Sequence, residues 1–316
     1  MSSDSSSVVD KEECGLCGWG QTSKMCTSCE QKIEQANADM SSNVLDSYNT
    51  SGSIVSSADA VADGLGRIDI SNDDDDKLFA DPPPKEDCPI CMLPTPHADG
   101  LCGLGMVYMP CCGKTICEGC SKAEDDEMRK GNIKKWCALC RVPIHCSDKD
   151  MLKRYHNRMD LNDADAYLQL GLAYGNGDMD LPQDINKANE LLLKAAELGS
   201  CNAHALIATA YMKGDGVEKD MSIAIRHWNL AAIGGHEVAR YNLGVCEYDE
   251  GNVERSYKHF MIAARSGHDD ALKEVGEGYK DGHVTKDKYM NTLRAYQVSC
   301  DDMKSKQRDI AAAQDY

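Results

Sequence analysis

The chain has 316 residues, a formal net charge of −18 and 17 cysteines. That length allows two or three folded units, and the excess of acid sets nucleic acid and anionic membrane aside as main partners, because like charges repel. No basic stretch leads into an apolar core at the start, and nowhere do about 18 apolar residues run together, so neither a secretory signal nor a membrane span is expected. A cytoplasmic or nuclear location follows, where thiols stay reduced and clustered cysteines point to metal rather than to disulfides.

Residues 1–10 are rich in Ser and Asp and are expected to be disordered. Residues 11–30 carry Cys14, Cys17, Cys26 and Cys29, two CxxC pairs with eight residues between them. Four thiolates at that spacing can hold one zinc ion. The stretch is similar to the opening half of a MYND-type finger, but no cysteine or histidine follows for many residues to supply the second half. A free-standing zinc knuckle making a protein contact is the expectation. From 31 to 86 the chain is an acidic stretch with the run Asp73 to Asp76 and the triplet Pro82, Pro83, Pro84. It has too few large apolar residues to offset the entropy of ordering, so a disordered linker is expected.

The block 87–147 holds four close pairs of cysteines: Cys88 and Cys91, Cys111 and Cys112, Cys117 and Cys120, Cys137 and Cys140. Zinc takes four tetrahedral ligands at about 2.0–2.3 Å, and two thiolates on one tight turn reach the same ion. Eight cysteines in four pairs therefore point to two zinc ions. Pairing in sequence order and pairing in a cross-brace both remain open on spacing alone. Adjacent residues on one tetrahedral ion are geometrically awkward, which leaves Cys102 or His97 as substitutes, while His145 and Cys146 are not assigned as ligands.

The block resembles the RING finger family, with Ile90 inside the first pair, Trp136 before the last, and Arg141 and Pro143 after it. The resemblance implies a cross-brace in which Cys88, Cys91, Cys117 and Cys120 hold one zinc and Cys111, Cys112, Cys137 and Cys140 the other. Lys114 stands where many members place a ligating histidine, and Cys112 fills the count. The resemblance also implies docking of a ubiquitin-conjugating enzyme on Ile90, Trp136 and Leu139. Arg141 would be the bridging cation, whose planar fork suits that task better than a lysine. Ala138 occupies a position where proline is commonest in the family.

From 160 to 300 the composition turns to Ala, Leu, Gly and Tyr, and the chain repeats itself. Copies begin at Leu170, Ile207, Leu243 and Val275, with offsets of 37, 36 and 32 residues. Such periods belong to helical-hairpin solenoids. Each first helix carries a small residue (Gly171, Ala208, Gly244, Gly276). The first three second helices carry Ala-Ala pairs at 195–196, 231–232 and 263–264 and end in glycine. Tyr174, Tyr211, Trp228, Tyr241 and Tyr279 are expected in the core. His204, His227, His236, His259 and His268 are expected at the surface or an interface. The pattern resembles the Sel-1-like repeat family over about 164–297, strongest in the first two copies. Copy three lacks the GxGVxxD turn, and copy four lacks the Ala-Ala pair and is expected to cap the stack. The resemblance implies antiparallel helix pairs with a concave protein-binding surface. Residues 301–316 are expected to form a tail.

The fold class is accordingly mainly α: a C-terminal α-solenoid of helix hairpins, preceded by a small zinc-stabilised RING-like α+β domain and a disordered acidic N-terminal region. Two functions compete. One is a RING-type ubiquitin-protein ligase without a covalent nucleophile, its repeats holding the protein substrate. The other is a non-enzymatic scaffold whose fingers and repeats gather protein partners.

Overall fold

The structure, a computed structural model, describes residues 72–95, 105–122, 136–144 and 146–314. The segments 1–10 and 31–71, the cysteines of 11–30, and His97, Cys102 and His145 lie outside the described residues. Within them, α1 (Asn72–Leu78) precedes the hairpin β1 (Met106–Met109) and β2 (Lys114–Cys117). Next comes α2 (Asp148–Met159), and then the hairpins α3 (Ala164–Asn176) with α4 (Ile185–Glu197) and α5 (Cys201–Lys213) with α6 (Met221–Ile233). They continue as α7 (Glu237–Asp249) with α8 (Val253–Arg265) and α9 (Asp269–Lys280) with α10 (Lys286–Asp302), and α11 (Lys306–Gln314) is the last described element.

The repeat period sets the core. Ala166, Ala203, Ala239 and Ala271 occupy one position of the first helices and are fully buried. One turn on, Leu170, Ile207, Leu243 and Val275 are buried as well. The second helices contribute the three Ala-Ala pairs and, just before each, Leu192, Trp228 and Phe260. Alanine on one helix face lets ridges of the next helix seat closely, and one large residue per repeat fills the remaining volume. Copy three keeps a full second helix, so its shortening falls in the turn, where Asn252 makes no side-chain cap bond. In α10 only Thr292 is fully buried, which suits the last helix of a stack.

Polar side chains at the helix starts follow the same rhythm. Asp163, Ser200, Asp184, Asp220 and Thr285 each accept a backbone N–H at an N-terminus. In copies three and four the cap is histidine: Nδ1 of His236 accepts from the N–H of Ala239, and Nδ1 of His268 from that of Ala271, both at 3.2 Å. Two further histidines are interior. His227 pairs with His204 (Nδ1 to Nδ1 2.9 Å), and His259 lies fully buried with neither ring nitrogen hydrogen-bonded. Of the histidines expected at the surface or an interface, His236 and His268 cap helices, His204 is partly buried, and His227 and His259 lie in the interior. Among the aromatic residues, Tyr211 and Trp228 are buried, whereas Tyr279 is largely exposed and stacks on Tyr289.

Two stretches differ from the sequence expectation. The linker expected over 31–86 is, from 72 on, the helix α1 and an extended stretch, with Leu78 buried in the repeat core and Pro83 against Gly235. The tail expected over 301–316 contains α11, whose Arg308 reaches the cysteine-rich block. In both, a few residues of a polar segment find partners more than 150 positions away, at Arg240 for α1 and at Pro94 for α11.

Substitutions at two glycines separate packing from helix propensity. A Cβ on Gly244 would lie 2.6 Å from the buried Phe260 ring, whereas on Gly276 it would meet Tyr289 at an ordinary 3.8 Å. Alanine gains about 1 kcal/mol over glycine inside a helix, while overpacking costs about 1–3 kcal/mol. Gly276→Ala should therefore raise the melting temperature by a few degrees and Gly244→Ala should lower it, as checked by calorimetry.

Burial also makes the fold acid-sensitive. Burial, with His204 beside it, holds His227 down to about 4, and burial, with Arg240 and Arg255, holds His259 down to about 3. Both are neutral when folded and take a proton near pH 6.5 when unfolded. Their contribution is therefore complete above about pH 6.5 and is lost as the pH falls through the folded values, by at most roughly 1.4 kcal/mol per unit for each group. Melting temperature should fall between pH 7.5 and pH 5, and His259→Phe should lessen the fall.

Candidate metal centre

Two short brackets of the same design frame the cysteine-rich block. In the first, Cys88 N–H donates to Leu93 O (2.9 Å) and Met92 N–H to Cys88 O (2.8 Å), with a bridge between Asp87 and Pro94. In the second, Cys137 N–H donates to Val142 O (2.8 Å) and Arg141 N–H to Cys137 O (2.9 Å), with a bridge between Trp136 and Pro143. DCPICMLP and WCALCRVP are thus one motif used twice. The residue after the second cysteine takes a left-handed backbone in both, Met92 at φ 54° and Arg141 at φ 63°. That conformation is costly for a side chain, about 1–2 kcal/mol, and persists where the surroundings fix it.

The hairpin β1–β2 supplies the other two pairs. Its register, Met106 opposite Cys117 and Met109 opposite Lys114, places Cys111 and Cys112 in the connecting turn and Cys117 at the strand end. Cys112 and Gly113 N–H both donate to Met109 O, and Gly113 has φ 65°. The turn is tight enough for successive thiols to serve one cluster. Sulfur atoms of Cys88, Cys91, Cys117 and Cys120 lie within 4.8 Å of one another, and so do those of Cys111, Cys112, Cys137 and Cys140. The pairs alternate between clusters along the chain, an interleaved arrangement.

The donor set fits zinc. Four sulfurs about 2.3 Å from a common centre form a tetrahedron with edges of roughly 3.8 Å. The pair Cys91–Cys117 is 3.8 Å apart, Cys112–Cys137 3.9 Å and Cys111–Cys140 3.4 Å. Thiols packed so closely titrate against one another. Burial and then the Cys137 sulfur push Cys112 up to about 11, and burial with Cys140 and Cys137 raises Cys111. Burial also raises Cys88, but backbone N–H groups of Cys117, Cys91 and Ile90 outweigh it and bring that thiol down to about 7. A divalent cation between the sulfurs removes the repulsion and favours all four thiolates.

Around the clusters, Ile90 is 37% exposed, Trp136 41% and Leu139 36%, with Met92 and Val142 also in solvent. These apolar side chains stand on the two brackets, and Arg141 is exposed beside them. Met92 and Val142 were not singled out by the sequence; aligned on the hydrogen bonds of the two brackets, Met92 corresponds to Arg141 and Val142 to Leu93.

The block is anchored to the helices by Asp163. Its Oδ2 accepts from Tyr108 OH (2.8 Å) and from Nε and a terminal nitrogen of Arg158 (2.8 and 2.6 Å), while Oδ1 caps α3. The Arg158 guanidinium lies on Gly113, where a Cβ would come within 2.0 Å of it. From the far end of the chain, Arg308 donates to Pro94 O (2.8 Å), Leu93 O (3.3 Å) and the Cys91 sulfur (3.5 Å). No sequence signal marked Arg158 or Arg308, because neither lies near the eight clustered cysteines in the chain.

Four thiolates around a divalent ion leave two negative charges, and Arg308 is the cation beside the first cluster. Outer-shell partners of metal ligands contribute about 10–100-fold to metal retention. Arg308→Ala should speed zinc loss from the Cys88 cluster by about that factor and leave the Cys111 cluster unchanged, as followed by chelator kinetics on the full chain.

The Sel1 repeat family matches residues 164–200, 202–236 and 238–268. Chitin synthase regulatory factor 4 of Schizosaccharomyces pombe is 27% identical over 136 residues, which is 43% of this chain and 21% of the other. The chain thus spans about a fifth of the length of that curated relative. Among solved structures, a Sel1 repeat protein from Oxalobacter formigenes is 26% identical with a TM-score of 0.41, over 48% of this chain and 64% of that one. A protective antigen of uropathogenic Escherichia coli displaying an SLR fold is 30% identical with a TM-score of 0.41, over 48% of this chain and 33% of that one. Residues 164–268 thus match Sel1 repeats, and the described fold is mainly helical. Among the described residues, no helix is long and apolar enough to cross a membrane.

Proposed function

We propose that the chain is a protein-interaction scaffold: its Sel1 repeats hold a protein partner, and a module with two zinc-type centres is fixed to them to present a second contact surface. The observation that carries this reading is the pairing of a repeat solenoid with two tetrathiol clusters bolted to it through Asp163, Arg158 and Arg308. Helical solenoids offer long surfaces on which residues from successive repeats act together. The test is affinity capture with the full chain, followed by cross-linking and mass spectrometry. Cross-links from captured proteins should concentrate on lysines of 164–288, and partners joined only outside the repeats would contradict the reading.

One observation favours a second reading, in which the scaffold also transfers ubiquitin. The interleaved clusters leave Ile90, Trp136 and Leu139 exposed on two brackets with Arg141 next to them. An apolar patch of that kind suits docking of a ubiquitin-conjugating enzyme, and catalysis would then come from positioning, with Arg141 as the bridging cation. Incubation with a panel of conjugating enzymes should yield ubiquitin conjugates on the chain that fall at least about tenfold with Arg141→Ala and vanish with Cys88→Ala. If every enzyme in the panel is inert, the scaffold reading stands alone.

A further inference from the structure

The acidic segment containing α1 sits on the repeats as a ligand sits in a groove. Leu78 is buried among core residues of the repeats, and its carbonyl, at the end of α1, accepts from the buried Arg240. Arg240 also donates to Ala232 O (2.6 Å), so one cation binds the C-terminal ends of two helices. Next in the chain, the Phe79 ring rests on His259 at 4.8 Å between centroids, with Arg255 at 5.0 Å and Lys258 at 5.8 Å over its face. The Asp75 carboxylate pairs with Arg255 through two donors, and Asp81 pairs with Arg265 at 3.2 Å.

Three features distinguish this contact from ordinary core packing. The segment is short: a seven-residue helix has no stability of its own in water. Its ion pairs are partly exposed, and such pairs are worth little each. It also fills the groove incompletely. A cavity of about 700 Å³ remains between the segment and helices α8 and α10, carrying the cations Arg255, Lys258, Arg265 and Lys288. Against the Phe79 ring, His259 is buried with neither ring nitrogen hydrogen-bonded, so a groove residue is left unsatisfied by the present occupant. On the helix side the charged residues that line the cavity are these four cations, Arg255 also pairing with Glu247 and Lys258 with Glu254, while Asp75 and Asp76 of the segment line the other side.

We propose that this groove is a peptide-recognition site for acidic segments in which an aspartate or glutamate stands three residues before a Leu-Phe pair, and that residues 72–81 occupy it in cis and are displaced by a partner bearing the same pattern. Leu enters the apolar cleft between repeats. Phe lies between the His259 ring and the two cations. The preceding acid meets Arg255. The spacing follows from one helical turn, which brings residues 75, 78 and 79 to the same face. This inference deepens the scaffold reading by stating the chemistry of the partner.

The experiment uses the full zinc-loaded chain and a fluorescent peptide of residues 72–81, NDDDDKLFAD, followed by anisotropy. The double variant Leu78→Ser/Phe79→Ser empties the groove and should bind the peptide at least tenfold more tightly than the wild type, with a scrambled peptide inert. Arg255→Glu in that background should reduce binding at least tenfold, and a peptide carrying Asp75→Lys should restore it. Asp75→Lys in the chain keeps both apolar anchors and should raise affinity for the native peptide several-fold, which secures the test if the double variant fails to fold. The proposal is overturned if the folded, emptied chain ignores the peptide, if wild type and emptied chain bind alike, or if the emptied chain instead pairs into dimers. Failure of the peptide with repeat-directed cross-links intact removes this site alone; loss of the cross-links removes the scaffold reading.

Discussion

Eight thiols divided between two spaces, each under 5 Å across, are the constraint from which the rest of the N-terminal half of the described structure follows. Sulfurs that close cannot all ionise without a cation among them, and a small block without a sizeable apolar core has little else to fold around. The hairpin register, the two left-handed bracket residues and the tight turn at Gly113 all serve to aim sulfur atoms. Ile90, Trp136 and Leu139 are left exposed on the two brackets.

Interleaving has a mechanical consequence. Because each cluster draws its thiols from non-adjacent pairs, the first bracket meets the strand-end pair Cys117 and Cys120 and the second meets the turn pair Cys111 and Cys112, so the hairpin is gripped at both ends and stiffened. That stiffness continues into the solenoid through Asp163, a single carboxylate that caps a repeat helix, pairs with Arg158 and accepts from a strand tyrosine. Burial and then the Asp163 carboxylate raise the Tyr108 hydroxyl, so it remains a donor at physiological pH. Arg308 closes a second connection from beyond the last repeat. A partner held by the repeats and one held by the brackets would thus be held at a fixed separation, the physical basis on which both proposed readings rest.

The repeats were legible in the sequence because their signal is periodic: alanine, large apolar residue and Ala-Ala pair recur at nearly constant spacing, and burial follows the same spacing. The two cysteine clusters were legible for a related reason, since thiol pairs are rare and each carries its own turn. What escaped were contacts made by single residues across long stretches of chain. Arg158, Arg240 and Arg308 look like any surface cation in sequence, yet one lies on Gly113, one is buried against Leu78 and one reaches a thiol. Leu78 and Phe79 looked like stray apolar residues in an acidic stretch, because composition averages over the segment and the groove that receives them is built 160–180 residues later. The histidine caps escaped because histidine is not a common N-cap residue, although Ser200 holds the equivalent place one repeat earlier.

Native mass spectrometry of the full chain and its cysteine variants shows whether the two clusters are metal centres with interleaved ligands. Cys88→Ser and Cys117→Ser, separated in sequence by the whole Cys111–Cys112 turn, should each lose the same single zinc ion, and combining them should lose no more. If the two variants lose different ions, or if the unaltered chain binds no zinc through these eight thiols, the account is contradicted.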